Sequence, residues 1–185
     1  MLYQSIQELY PLPAEEVALF QQKCKPLTYK RKDFLLQAGQ TCKGVYFIEK
    51  GLLGLYQIKE GKEVYQDFFF EGNFATAIIS LSKGIPSEQF LVALEPTTIF
   101  YCSKDSLLEL YAVSPHFQAF GRALLEQLLV AKTSFIALQT MLSAKEKYQY
   151  ILEEEPRLIQ EVPLQYLSSY LGMARETLSR IRKEK

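Results

Sequence analysis

Apolar positions change their period along the chain, and the changes divide it. Ile6, Leu9, Val17, Leu19 and Phe20 recur at helical spacing over residues 4–24, interrupted by Pro11 and Pro13. A proline removes a backbone donor and clashes with the preceding turn, so two short helices are expected there. From Leu27 to Tyr101 the pattern becomes that of short strands, rich in β-branched and aromatic residues: Val45–Ile48, Leu52–Tyr56 and Val64–Phe70. Turn-like breaks recur at Gln37–Gln40, Glu49–Gly51, Lys59–Lys62 and Glu71–Asn73. Short strands at this spacing predict a sandwich or jelly roll.

Helical spacing returns at Ser103–Tyr111 and then runs from Pro115 to about Leu142. Pro115 suits a first helical turn. Phe117, Phe120, Leu124, Leu128, Ala131, Phe135, Leu138 and Leu142 recur every third or fourth residue, close to a heptad seam. A helix of about 28 residues is roughly 40 Å long, more than one small β domain covers. Phe120, Leu124, Leu128, Ala131, Phe135 and Leu138 are therefore expected to meet a second copy of the chain. Ser143-Ala-Lys-Glu146 has capping-box spacing and restarts a helix. Glu153-Glu-Glu-Pro156 ends it, because the residue before proline avoids the α region.

The C-terminal segment carries the most chemistry. Leu164, Leu167 and Leu171 share one helical face, Gly172 follows where a helix end tolerates positive φ, and Arg175–Arg182 reads as a second helix. Leu178 and Ile181 turn inward, while Arg175, Glu176, Ser179 and Arg180 turn outward. Arg and Glu side chains bond base edges, and Ser serves base or phosphate. This is the layout of a helix-turn-helix whose second helix reads DNA.

Composition narrows the classes. The chain has 185 residues, is 48% hydrophobic and has zero formal net charge. Zero charge argues against a nucleic-acid binder until the distribution is considered. Arg175, Arg180, Arg182, Lys183 and Lys185 face only Glu176 and Glu184 at the C-terminal end, a local excess placed where phosphates would lie. No apolar run approaches the roughly 20 residues of a membrane span, and the start at Met1 lacks the pattern of a signal peptide. A cytoplasmic protein with no membrane partner is expected. Cys24, Cys42 and Cys102 are odd in number and widely spaced, so reduced thiols are expected.

Catalysis is disfavoured. His116 is the only histidine, whereas metal-dependent jelly-roll enzymes use several on their strands. No phosphate-cradling Gly-x-x-x-x-Gly-Lys motif is present. His116 follows Pro115 at a helix start and is expected at the surface, not as a haem ligand. Cys24 stands alone near the N-terminus, where an iron–sulfur sensor needs several cysteines.

Leu171-Gly172-x-x-Arg175-Glu176-Thr177-x-Ser179-Arg180 resembles the recognition segment of the Crp/Fnr family of bacterial transcription regulators. Gly39-Gln40, Val45-Tyr-Phe-Ile-x-Lys-Gly51 and Gly72-Asn73-Phe74 resemble that family's cyclic-nucleotide-binding jelly roll in order and spacing. The resemblance implies an α+β fold: an N-terminal sensor jelly roll with flanking helices (1–114), a long dimerisation helix (115–142) and a small helix-turn-helix domain (143–185). It implies that Glu176, Ser179 and Arg180 read bases and that Arg175 contacts DNA, with Thr177, Arg182 and Lys183 completing the candidate DNA-binding set. Double-stranded DNA, a second copy of the chain and RNA polymerase are the implied partners.

Two departures qualify the resemblance. Cyclic-nucleotide binders of the family carry Gly-Glu after the Gly-Asp-Phe turn and Arg-Ser about ten residues later, holding ribose and phosphate. Thr76-Ala77 and Ser87-Glu88 stand at the matching positions. Alanine accepts no hydrogen bond, and a carboxylate repels a phosphate. Gly72, Asn73, Phe74, Thr76, Ala77, Ser87 and Glu88 remain the effector-pocket candidates, for a small molecule other than cyclic AMP, and no cofactor is expected. The family's wing normally follows the recognition helix, whereas this sequence stops at Lys185, so the wing is expected to be absent. The competing reading is a ligand-binding or protein-interaction module that no longer binds DNA.

Overall fold

A computed structural model describes residues 2–184, so Met1 and the basic Lys185 lie outside the described residues. Helices α1 (Leu2–Leu9) and α2 (Ala14–Lys23) open the chain, separated at Pro11–Pro13 as expected. Strands β1 (Lys25–Tyr29), β2 (Phe34–Leu36), β3 (Gly44–Lys50), β4 (Leu53–Lys59), β5 (Lys62–Phe69) and β6 (Phe74–Ala75) follow. Helix α3 (Ile78–Lys83) interrupts the strands before β7 (Phe90–Ala93) and β8 (Thr97–Ser103). Helices complete the chain: α4 (Lys104–Val113), α5 (Pro115–Met141), α6 (Ala144–Glu154), α7 (Pro156–Glu161), α8 (Leu164–Tyr170) and α9 (Arg175–Lys183).

The strands form two four-stranded sheets, ordered β1-β8-β3-β6 and β2-β7-β4-β5. Non-consecutive neighbours and antiparallel pairing make this the expected jelly roll. The β4–β5 turn places Glu60 and Gly61 at φ 53° and 74°. Two successive positive φ values match the right-handed twist of a tight hairpin, and a glycine accepts one of them without strain.

The chain divides into two compact units. One comprises Met1–Leu55 and Phe68–Gln127, the other Tyr56–Asp67 and Leu128–Lys185. The boundary cuts through α5 and assigns the β4–β5 hairpin tip to the helical unit. This differs from the 1–114, 115–142 and 143–185 division, in which α5 stood apart.

In the first unit, Phe20, Phe47, Ile48, Leu53, Leu91 and Ile99 form a core with Ile6 of α1 and with Phe117 and Phe120 of α5. Phe20, Phe74 and Phe120 meet edge to face, with centroids 5.7–6.5 Å apart. Glu16 on α2 accepts hydrogen bonds from Ser114 at 2.7 Å and contacts His116 Nδ1 at 3.2 Å. His116 is exposed, in the surface position its sequence context predicts.

In the second unit, Tyr148, Ile151, Leu158, Leu167, Leu171 and Leu178 are buried with Leu138 of α5. The predicted capping box is present: Ser143 N–H donates to Glu146 Oε2 at 2.8 Å, and Glu146 N–H donates to Ser143 Oγ at 3.4 Å. The break at Glu155–Pro156 also falls where expected, with α7 starting on the proline.

The two apolar faces of α5 differ in exposure within a single chain. Phe120 and Leu138 are only 3% and 4% exposed within a single chain, and Phe135 stacks on Tyr170 at 4.6 Å. Leu124 and Leu128 are half-buried, and Ala131 is exposed. The apolar positions open to solvent are instead Leu125, Leu129 and Ile136, at 54%, 66% and 61% exposure, with Val130 and Met141 exposed on another side of the helix. At 100° per residue, Leu125, Leu129 and Ile136 cluster on a face well over 90° from the predicted seam. A heptad count finds apolar periodicity but does not say which of two apolar faces the same chain covers.

Candidate nucleic-acid interface

The α8–α9 pair is built around its turn. Helix α8 ends in a Schellman motif: Gly172 N–H donates to Ser169 O at 3.1 Å, and Met173 N–H donates to Ser168 O at 3.0 Å. Gly172 takes φ 66°, as its place in the sequence predicts. A Cβ there would also lie 3.1 Å from Gln139 Oε1.

The α8 C-terminus has a second support. Lys147, almost wholly buried, donates to the Leu171 carbonyl at 3.2 Å and to Gln139 Oε1 at 2.9 Å. The Gln139 amide in turn donates to the Tyr170 carbonyl at 2.6 Å. The last carbonyls of a helix lack intrahelical partners and carry its negative dipole end, so an ammonium is the matching group. Sequence reading missed both residues. The available signal was Lys147 at helical spacing beside Tyr148 and Ile151, on a face otherwise apolar.

Helix α9 packs against α6 and α8. Leu178 is fully buried and Ile181 half-buried, which fixes the rotation of the helix. Arg175, Glu176, Ser179, Arg180 and Lys183 consequently line one shallow outward concavity, joined by Glu184. Three cations and a hydroxyl thus share a single face over about two turns. Thr177, half-buried, and Arg182, exposed, are not in that lining. Of the seven candidates, the structure brings five together.

The hairpin tip supplies residues that sequence reading did not connect to this region. Tyr65 stacks on Tyr166 of α8 at 4.6 Å and lies 5.2 Å from Tyr56. Burial, then the nearby Glu63 carboxylate, raises the Tyr65 phenol above its ordinary range. Lys132 pairs with Asp67 at 2.5 Å. The hint was a surplus of tyrosines at 56, 65, 166 and 170, but nothing in the sequence joins residues about 100 apart.

The effector-pocket candidates lie in the first unit, and most of their polar groups are committed internally. Asn73 Oδ1 accepts the Phe70 N–H at 2.9 Å, and Thr76 donates to the Gly44 carbonyl at 3.0 Å. Ala77 is fully buried just before α3. Ser87 donates to the Gln89 carbonyl and accepts the Gln89 N–H, while Glu88 is exposed. Gly72 takes φ 86°, and Phe74 packs on Phe47.

Comparison with known proteins matches this architecture. Residues 26–114 match the cyclic nucleotide-binding domain family. Over nearly its whole length the chain has the fold of Crp/Fnr-type regulators. It is similar to FixK2 from Bradyrhizobium japonicum, with a TM-score of 0.75 at 18% identity, covering 87% of this chain and 83% of that one. It is similar to the c-di-GMP-responsive global regulator CLP of Xanthomonas campestris, with a TM-score of 0.73 at 18% identity, covering 93% and 91%. A Crp/Fnr-family protein from Eubacterium rectale gives 0.70 at 17% identity, covering 96% and 87%. No curated protein matches by sequence. Among the described residues, no helix is long and apolar enough to cross a membrane.

Proposed function

We propose that this chain is a cytoplasmic transcription regulator of the Crp/Fnr type, a homodimer that reads double-stranded DNA with α9. The observation carrying the reading is the outward set of Arg175, Glu176, Ser179, Arg180 and Lys183 on a helix anchored by Leu178. Arg180, Glu176 and Ser179 lie one turn apart, so together they meet neighbouring base edges. Lys183, near the helix end, meets phosphate. The fold likeness to regulators, including one whose name records a response to c-di-GMP, supports the same reading. RNA polymerase enters as a partner on that likeness alone.

Dimerisation is assigned to the exposed face of α5, at Leu125, Leu129 and Ile136. A solvent-facing apolar stripe of this length costs hydration free energy in a monomer and favours covering by a second copy. Two α9 helices one DNA turn apart, ~34 Å, would then enter successive major grooves. A small-molecule effector in the first unit would act by favouring one of two arrangements of the dimer. Cyclic AMP is not that effector in this reading. Ala77 offers no acceptor for ribose, Ser87 and Glu88 offer no cation for phosphate, and calorimetry with cyclic AMP should show no micromolar binding.

The test is selection of bound sites from random duplexes, followed by affinity measurements on the selected site. Arg180→Ala should lose about 1–3 kcal/mol per half-site and relax preference at one base pair. Lys183→Ala should weaken all sequences alike and lower the salt slope by about one. If Arg180→Ala leaves the sequence preference intact, α9 is not the reader, and the chain is better described as a ligand-binding or protein-interaction module.

A further inference from the structure

Two of the three cysteines are brought together by strand register. Strand β1 pairs antiparallel with β8, from Tyr29 opposite Thr97 to Lys25 opposite Tyr101. One step further sets Cys24 opposite Cys102. Cys24 caps α2 but already has extended backbone, φ −95° and ψ 146°, so it continues the strand. Its N–H bonds Gln21 O at 3.2 Å rather than crossing to Cys102. Facing residues of an antiparallel pair have Cα atoms ~4.5–5.5 Å apart. A disulfide needs Cα atoms roughly 4.4–6.8 Å apart, so no backbone movement is required to form one. Both thiols are free, and both lie in the core of the first unit, at 7% and 1% exposure.

We propose that Cys24 and Cys102 form a peroxide-oxidisable dithiol, a modification site that closes reversibly to an intrachain disulfide. The Cys102 thiolate attacks the O–O bond of a hydroperoxide. Its sulfur is oxidised to a sulfenic acid, and the peroxide is reduced and leaves, after taking up a proton, as water or an alcohol. The Cys24 sulfur then attacks the sulfenic sulfur. The S–S bond forms, the S–O bond breaks, and the departing hydroxide takes the Cys24 proton as water. Two thiols and one hydroperoxide thus give one disulfide, one alcohol or water, and one water.

The roles are not interchangeable. The hydrogen bond that Cys24 gives Cys102 lowers the Cys102 thiol below its ordinary range against the opposing effect of burial, and the Lys23 ammonium adds to that lowering. The same hydrogen bond, followed by burial, raises Cys24. Cys102 is therefore the attacking sulfur and Cys24 the resolving one. Cys42 has different company, with its thiol 3.3 Å from the Gly44 carbonyl and 3.4 Å from Thr76 Oγ1, and serves as an internal control.

The test uses the full unmodified chain treated with hydrogen peroxide, unfolded, alkylated, digested without reductant and mapped by mass. The expected product is a peptide pair joined through Cys24 and Cys102, lighter by two hydrogens than the two thiol peptides, with Cys42 alkylated. Dithiothreitol should restore all three alkylatable thiols. The oxidised chain should also show an upward shift in melting temperature, because the bridge closes a long loop in the unfolded chain. In Cys24→Ala and in Cys102→Ala no intrachain bridge should form. Recovery of Cys24 and Cys102 as alkylatable thiols after peroxide, or a bridge through Cys42 or between two chains, would overturn the proposal. The mapping needs no variant, so a variant that fails to fold leaves the result decisive.

Discussion

The Ser169 hydroxyl accepts the Tyr65 N–H at 3.1 Å and donates to the Glu63 carbonyl at 2.8 Å. One side chain on α8 thereby completes two backbone groups of β5 that lie more than 100 residues away in sequence. Ser169→Ala should remove the hydroxyl that accepts the Tyr65 N–H. A loss of about 1 kcal/mol is expected, since that is the usual net value of such a bond. Hydrogen exchange should accelerate at the Tyr65 amide and leave amides of the first unit unchanged. Unaltered exchange at Tyr65 would mean that the hairpin tip is held by the tyrosine stack alone.

Lys147→Met keeps the length of the side chain and removes its charge. The Leu171 carbonyl and Gln139 Oε1 would then be left short of a donor in a buried place. We expect a destabilisation of about 1–3 kcal/mol, read as a lower denaturant midpoint at unchanged slope. The loss should be accompanied by weaker DNA binding, because the same ammonium supports the turn that sets α9 on α8. A variant with full stability would show that water replaces the ammonium at the α8 end.

The two faces of α5 make opposite predictions. Leu129 is exposed in a single chain, so Leu129→Glu should leave the melting temperature of a dilute sample nearly unchanged while shifting sedimentation from dimer to monomer. Phe135 stacks on Tyr170, so Phe135→Glu should unfold the helical unit. Dimers that survive Leu129→Glu combined with Ile136→Glu would remove α5 from the interface.

The capping box gives a pH dependence. Hydrogen bonds from Ser143 hold the Glu146 carboxyl below the usual carboxylate range. A depressed acid stabilises the folded state above its unfolded value, and that stabilisation disappears as pH falls through the folded value. Stability of the helical unit should therefore decline below about pH 4, near and under the ordinary glutamate value. Glu146→Gln should flatten that part of the profile while retaining the reciprocal hydrogen bond. A wild-type profile identical to that of Glu146→Gln would exclude Glu146 as its source.

Local chemistry was legible because it acts over a few residues. Pro11 and Pro13 split the first helices, Ser143 and Glu146 cap α6, Pro156 starts α7, and Gly172 turns the chain between α8 and α9. Each works through its own backbone geometry or through neighbours within one helical turn, so the residue type suffices. The β-forming runs Val45–Ile48, Leu52–Tyr56 and Val64–Phe70 likewise placed β3, β4 and β5. The outward face of α9 followed from Leu178 and Ile181 at helical spacing.

Tertiary structure decided what depends on partners distant in sequence. Only strand register sets Cys24 beside Cys102, and only folding seats Tyr65 on Tyr166 or Lys147 under Leu171. Two apolar faces of α5 have nearly the same periodicity. The core chose one through the rings of Phe117, Phe120 and Phe135, and left Leu125, Leu129 and Ile136 to solvent. A period fixes which residues share a face. Which face is buried depends on the shape and apolar area of whatever packs against it, and that surface is made by residues elsewhere in the chain.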